Sequence, residues 1–103
     1  MIYIGIDVAK DKHDCCILGS DGEIHFSPFT IRNDRQGFDE LFEKIGSLTE
    51  DVSKVKVGLE ATGHYHLNLL QSLLDNAFTC FVINPLHTNL YRKGQSLRKT
   101  KTD

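Results

Sequence analysis

The first seven residues, Met1-Ile-Tyr-Ile-Gly-Ile-Asp7, constrain this chain more than any other stretch. They are rich in β-branched and aromatic side chains without apolar–polar alternation, which predicts a strand over 2–7 buried on both faces. A buried strand ending in an ionisable group needs a reason, because an unpaired carboxylate is costly to remove from water. Val55-Lys-Val-Gly-Leu-Glu60 repeats the device: a strand, with a glycine two residues before a terminal carboxylate. Side chains alternate along a strand, so Gly5 shares a face with Asp7, and Gly58 with Glu60. Each glycine clears room for something to approach the backbone. Two carboxylates at two strand ends, each beside cleared space, point to a divalent-cation site.

The intervening sequence supplies the rest of a sheet. Val8-Ala-Lys-Asp-Lys-His13 reads as a polar turn into a second strand over His13–Leu18, and Gly19-Ser-Asp-Gly22 as the turn of an antiparallel hairpin. The third strand, Glu23–Ile31, changes phase between Ile24/Phe26 and Phe29/Ile31 with Pro28 at the slip, the pattern of a bulged edge strand. Asn33 or Asp34 caps a helix to about Leu48, whose Phe38, Leu41, Phe42, Ile45 and Leu48 recur at helical spacing. After the fourth strand, Ala61-Thr-Gly63 opens a helix to about Asn76 with Tyr65, Leu69, Leu70, Leu73 and Leu74 as its buried stripe. Thr79–Ile83 is a short, wholly apolar fifth strand. Asn84-Pro85 ends it and starts a third short helix to about Tyr91.

Three antiparallel strands followed by two β-α-β crossovers give an α/β fold: a five-stranded mixed sheet with helices on its faces. At 103 residues the chain is one domain. Residues 1–91 form its core and 92–103 a basic tail leading toward the remainder of a longer protein. No apolar run approaches the length of a bilayer span and the N-terminus lacks a secretion-signal layout, so no membrane partner and a cytoplasmic location are expected. Cys15, Cys16 and Cys80 read as reduced thiols, with Cys15 and Cys16 facing opposite sides of their strand.

The net charge of −2 hides an asymmetry. Of 12 basic and 14 acidic residues, Arg92, Lys93, Arg98, Lys99, Lys101 and one acid, Asp103, lie after Tyr91, leaving 7 basic and 13 acidic residues before it. An acidic body with a basic flank suits contact with a polyanion, and equally a solvated linker.

Four motifs, taken in order, carry a resemblance: Gly5-Ile-Asp7-Val-Ala-Lys10, Glu60-Ala-Thr-Gly-His-Tyr65, Val82-Ile-Asn-Pro85 and Lys101-Thr-Asp103. Together they resemble the N-terminal RuvC-like domain of the DEDD-type insertion-sequence transposases, the IS110 family. The resemblance implies an RNase H-like fold with the first and fourth strands adjacent, so that Asp7 and Glu60 face one cavity. It implies a recombinase that moves DNA, with Asp7, Glu60 and Asp103 as catalytic acids binding Mg²⁺ or Mn²⁺. Its other implications are a DNA partner, a guide RNA and a homo-oligomeric full-length protein, with phosphates meeting Lys10 and the basic tail (Arg92, Lys93, Arg98, Lys99, Lys101). The family's fourth acid normally lies three residues past the position matched by Asp103, and its serine-bearing second domain further on, so this length of chain is expected to be inactive alone.

Blander readings compete. Asp7 is also the kind of residue that accepts backbone N–H groups in a turn, and Glu60 the kind that sits at a helix N-terminus. His64, His66, His13, Cys15 and Cys80 lack metal-site spacing. An actin-like nucleotide-binding half-domain shares the Gly-Ile-Asp start, but needs a glycine-rich phosphate turn where this chain has Val8-Ala-Lys-Asp-Lys12. A non-catalytic nucleic-acid-binding module is the remaining alternative.

Overall fold

In a computed structural model, residues 1–61, 63–83 and 88–91 are described, the last four by backbone alone. The elements run β1 (Ile2–Val8), β2 (Lys12–Gly19), β3 (Ile24–Arg32), α1 (Arg35–Gly46), β4 (Val55–Glu60), α2 (Leu67–Asp75), β5 (Thr79–Ile83) and β6 (Thr88–Tyr91). They form one sheet in the order β3-β2-β1-β4-β5-β6. β1 pairs antiparallel with β2 and parallel with β4, and β5 pairs parallel with β4. The expected α/β mixed sheet is therefore present, and its order is consistent with an RNase H-like fold.

Alternation decides what each strand does. Ile4 and Ile6 of β1, Cys15 and Ile17 of β2, Val57 and Leu59 of β4, and Cys80 and Val82 of β5 are buried in one cluster. Phe38, Leu41 and Ile45 of α1 and Leu69, Leu70 and Leu73 of α2 fill the same cluster, so both helices lie on one face of the sheet. The Phe42 and Phe78 rings stack at 5.9 Å where α1 meets the entry to β5.

Three expectations need correction. β1 is not buried on both faces: Tyr3 is 43% exposed, and Gly5 and Asp7 are exposed too. The unbroken apolar reading failed because glycine and tyrosine tolerate an open face, and the two described helices share the other side. The segment expected to be a third helix ending at Tyr91 instead contains β6, antiparallel to β5, making a sixth strand. Its β-favouring Thr88 and Tyr91 accompany a ladder that satisfies the outer backbone edge of β5, while Asn84 and Pro85 lie outside the described residues. Finally, α2 begins at Leu67, and Tyr65 is 38% exposed rather than part of its buried stripe. Gly63 sits at φ +74°, a left-handed conformation that no right-handed helix can pass through.

The remaining local rules hold. Asp34 caps α1 by accepting a hydrogen bond from Gly37 N at 2.9 Å, and Arg32 pairs with it at 2.8 Å. β3 is a sheet edge, and its register slips between Cys15↔Phe29 and Ile17↔Phe26, placing a bulge at Ser27–Pro28. The ammonium of Lys44 on α1 lies 5.3 and 5.1 Å from the centroids of Phe26 and Phe29, covering that edge. All three cysteines are free, and burial pushes the Cys15 and Cys80 thiols up to about 12, keeping them protonated and unreactive at neutral pH.

Candidate acidic site on the open sheet face

The face opposite the helices carries the acids, and the strand register aligns them. Asp7 of β1 stands opposite Glu60 of β4 in the last rung of that parallel ladder. Neighbouring strands lie about 4.8 Å apart, so the two side chains rise side by side from one face. One rung earlier, Gly5 stands opposite Gly58. Gly5, Asp7, Gly58 and Glu60 line a cavity of about 500 Å³ with Cys16 and Ile83.

A Cβ built at Gly58 would meet nothing closer than the Ile4 carbonyl oxygen at 3.9 Å. The protein's own packing thus accepts alanine there, and the glycine keeps space open on the cavity side. Gly5 is tighter, with Cys16 Sγ at 3.3 Å from such a Cβ.

Among the described residues, neither the Asp7 nor the Glu60 carboxylate receives a hydrogen bond or an ion pair. The turn-acid reading of Asp7 requires a local N–H donor, and none of the described backbone amides serves it. Sequence reasoning missed Asp14, which the β1–β2 ladder sets directly opposite Asp7 on its other side. Asp14 lines the same cavity, although its Oδ1 already accepts from Thr30 Oγ1 at 2.7 Å. The turn after β1 and strand alternation together contained this information, because a hairpin closed at Val8↔His13 carries Asp14 to Asp7. Among the described residues, no three His, Cys, Asp or Glu side chains are grouped to hold a metal ion. Asp7 and Glu60 are an oxygen-only pair, the donor type that hard cations prefer, and they fit such an ion as part of a ligand set. Lys10 is exposed on the turn after β1. Asp103, Arg92, Lys93, Arg98, Lys99 and Lys101 lie outside the described residues.

The loop after Glu60 brings His64 against Tyr65, ring centroids 4.6 Å apart, and places His66 at the start of α2. Partial burial, with the neighbouring His64 second, lowers the pKa of His66 from its ordinary 6.5. The folded state thus resists a proton that the unfolded chain accepts. The contribution of His66 to stability is complete above about pH 6.5 and declines as pH falls below it. Thermal melts across that range should show this acid-side loss, and His66→Gln should reduce it.

A family model described as a transposase, the DEDD type of IS110 elements, matches residues 4–103. The pilin gene-inverting proteins of Moraxella bovis and Moraxella lacunata are each 34% identical to this chain over 101 residues, 98% of its length. The chain spans 30% of the length of these relatives. The four motifs read from the sequence all overlap the matched region, and the chain belongs to the DEDD transposase family.

Proposed function

We propose that this chain is the N-terminal catalytic portion of a DNA recombinase, in which Asp7 and Glu60 hold a divalent cation, Mg²⁺ or Mn²⁺, against a phosphodiester. The observation that carries the reading is the Asp7–Glu60 rung, two side-by-side carboxylates without partners among the described residues, next to a Gly5–Gly58 floor. A bound cation would supply charge neutralisation at the phosphate and activation of the attacking oxygen.

The chain's own residues do the rest. Asp7 and Glu60 anchor oxygen ligands on rigid strand ends rather than on loops, which keeps their spacing constant. Gly5 and Gly58 let a sugar–phosphate backbone lie close to the sheet. Lys10 offers a positive charge on the turn directly after Asp7, and the basic run Arg92, Lys93, Arg98, Lys99 and Lys101 extends that attraction to DNA or a guide RNA, a contact that weakens with salt. Asp103 is proposed as a further ligand, and Asp14 as a neighbour that adds negative potential. The nucleotide-binding alternative gains nothing from the structure, since the turn after β1 contains no glycine with which to cradle phosphates.

Titration with millimolar Mn²⁺, followed by calorimetry and by thermal shift, tests the proposal. Saturable binding that Asp7→Ala removes is the expected result. Wild-type protein that binds neither Mn²⁺ nor Mg²⁺ would overturn it.

Gly58 offers a second check with opposing readouts. Glycine inside a strand costs roughly 0.5–1 kcal/mol relative to alanine. Gly58→Ala should therefore raise the melting temperature slightly, yet lower DNA cleavage by the full-length protein because the methyl group enters the cavity. A variant that is both more stable and fully active would remove the substrate-clearance role.

A further inference from the structure

The last β1–β4 rung holds Asp7 opposite Glu60, and beyond it the two strands share no ladder, so the chain that follows each acid at the rim of the site is placed by its own loop. The Asn33 side chain spans those loops. Asn33 Nδ2 donates to the Lys10 carbonyl at 2.9 Å and to the Tyr65 carbonyl at 3.2 Å. Lys10 belongs to the turn that follows Asp7, and Tyr65 to the loop that follows Glu60. The Asn33 backbone N–H also donates to the Asp11 carbonyl at 2.9 Å.

We propose that Asn33 is a positioning residue of the acidic site, a latch that joins the loop after Asp7 to the loop after Glu60 and so steadies the rim from which the two carboxylates project. The inference rests on the metal-site reading above for its functional meaning, while the latch itself stands on hydrogen-bond geometry.

Several features argue that the latch has a specific shape. Two carbonyl acceptors set the orientation of the amide, because the reversed amide would aim its oxygen at both of them. The Oδ1 atom is buried without a hydrogen-bond partner, so only the donor half of Asn33 is used among the described residues. The residue type is therefore matched to a double donor, not to a generic polar position. His13 secures the same turn from inside: fully buried, its Nδ1 accepts from Ala9 N–H at 3.2 Å, which leaves the ring proton on Nε2. The turn carrying Lys10 is thus tied at Ala9, Lys10 and Asp11, and among the described residues it is the Asn33 side chain that continues the hydrogen bonding across to the β4 side.

Asn33→Asp tests the latch, because it keeps the shape while deleting both donors and presenting a carboxylate to two carbonyl oxygens. The expected result by amide hydrogen exchange is faster exchange in two places at once, residues 9–11 and 63–66, with α1 and the strand interiors unchanged. Mn²⁺ affinity should drop by about tenfold, the scale seen when groups that orient metal ligands are lost. Faster exchange confined to α1 would reassign Asn33 to the capping region of that helix and overturn the latch, as would unchanged exchange in both loops. Unchanged Mn²⁺ affinity in the variant, where wild-type protein binds Mn²⁺, would overturn the positioning role. Wild-type protein that binds no Mn²⁺ would instead remove the metal-site reading and with it the positioning role, and the exchange pattern would still decide whether the loops are joined.

Discussion

Asp7→Asn or Glu60→Gln, introduced into the full-length protein, is expected to abolish DNA strand cleavage, by about 100-fold or more, while leaving the fold intact. Loss of a group that only orients a metal ligand lowers affinity by roughly 10–100-fold, and loss of a ligand itself should exceed that. The accompanying stability change has the opposite sign. Asp7 and Glu60 are like charges directly opposite each other on neighbouring strands, an arrangement that is unfavourable without a cation between them. Each amide variant removes that repulsion and should melt at or above the wild-type temperature in EDTA. Mn²⁺ should stabilise the wild type, since a ligand that binds only the folded state raises its melting temperature, and the variants should lose this increment. Asp14→Asn should have a smaller effect on both readouts, because Thr30 already occupies one of the Asp14 oxygens. Variants that melt lower in EDTA and still cleave would show that the two acids serve the fold and not the chemistry.

Gly37→Ala is expected to be the most damaging glycine-to-alanine change among the described glycines. Gly37 lies in the first turn of α1, where the backbone of Arg32 passes directly over it. A Cβ at Gly37 would overlap the Arg32 carbonyl oxygen and stand 2.7 Å from Arg32 N and 2.8 Å from its carbonyl carbon. All three are backbone atoms at the end of β3, so no rotamer change can relieve the contact. Relief requires α1 to shift, which would pull Phe38 and Leu41 from the core and disturb the Asp34 cap on Gly37 N–H. Overpacking of this kind costs about 3 kcal/mol or more, which for a chain of this size lowers the melting temperature by at least about 12 °C. Gly46→Ala is the internal control: at the other end of the same helix a Cβ would meet nothing within 4 Å. There the better helix propensity of alanine should leave the protein unchanged or slightly stabilised. Similar melts for the two variants would refute the close approach of β3 and α1.

Much of this architecture was legible because local rules and tertiary pairing agree. The Pro28 phase slip marked an edge bulge, Asp34 marked the start of α1, and the repeated glycine-then-acid strand ends marked the pair that the sheet brings side by side. Other features depended on interactions with no local signature. Thr88–Tyr91 becomes a strand because β5 offers an unpaired edge, which is invisible to short-range propensity. Tyr65 has helical spacing to Leu69, but Gly63 adopts a left-handed conformation that delays the helix to Leu67. Asp14 looked like one acid among several in a polar hairpin until the register placed it beside Asp7. Asn33 read as a candidate helix cap, whereas Asp34 performs that task and the Asn33 amide reaches two distant loops.

Consecutive residues of β1 answer to different demands. Ile4 and Ile6 face the helices and are constrained by volume, while Tyr3, Gly5 and Asp7 face outward. The same division runs through β4, where Val57 and Leu59 face inward and Gly58 and Glu60 line the cavity. Evolution can therefore retune reactivity at odd positions of β1 and even positions of β4 with little penalty in folding. Relatives of divergent specificity should keep Asp7 and Glu60, differ at the other outward positions such as Tyr3 and Lys56, and conserve the bulk of the inward ones.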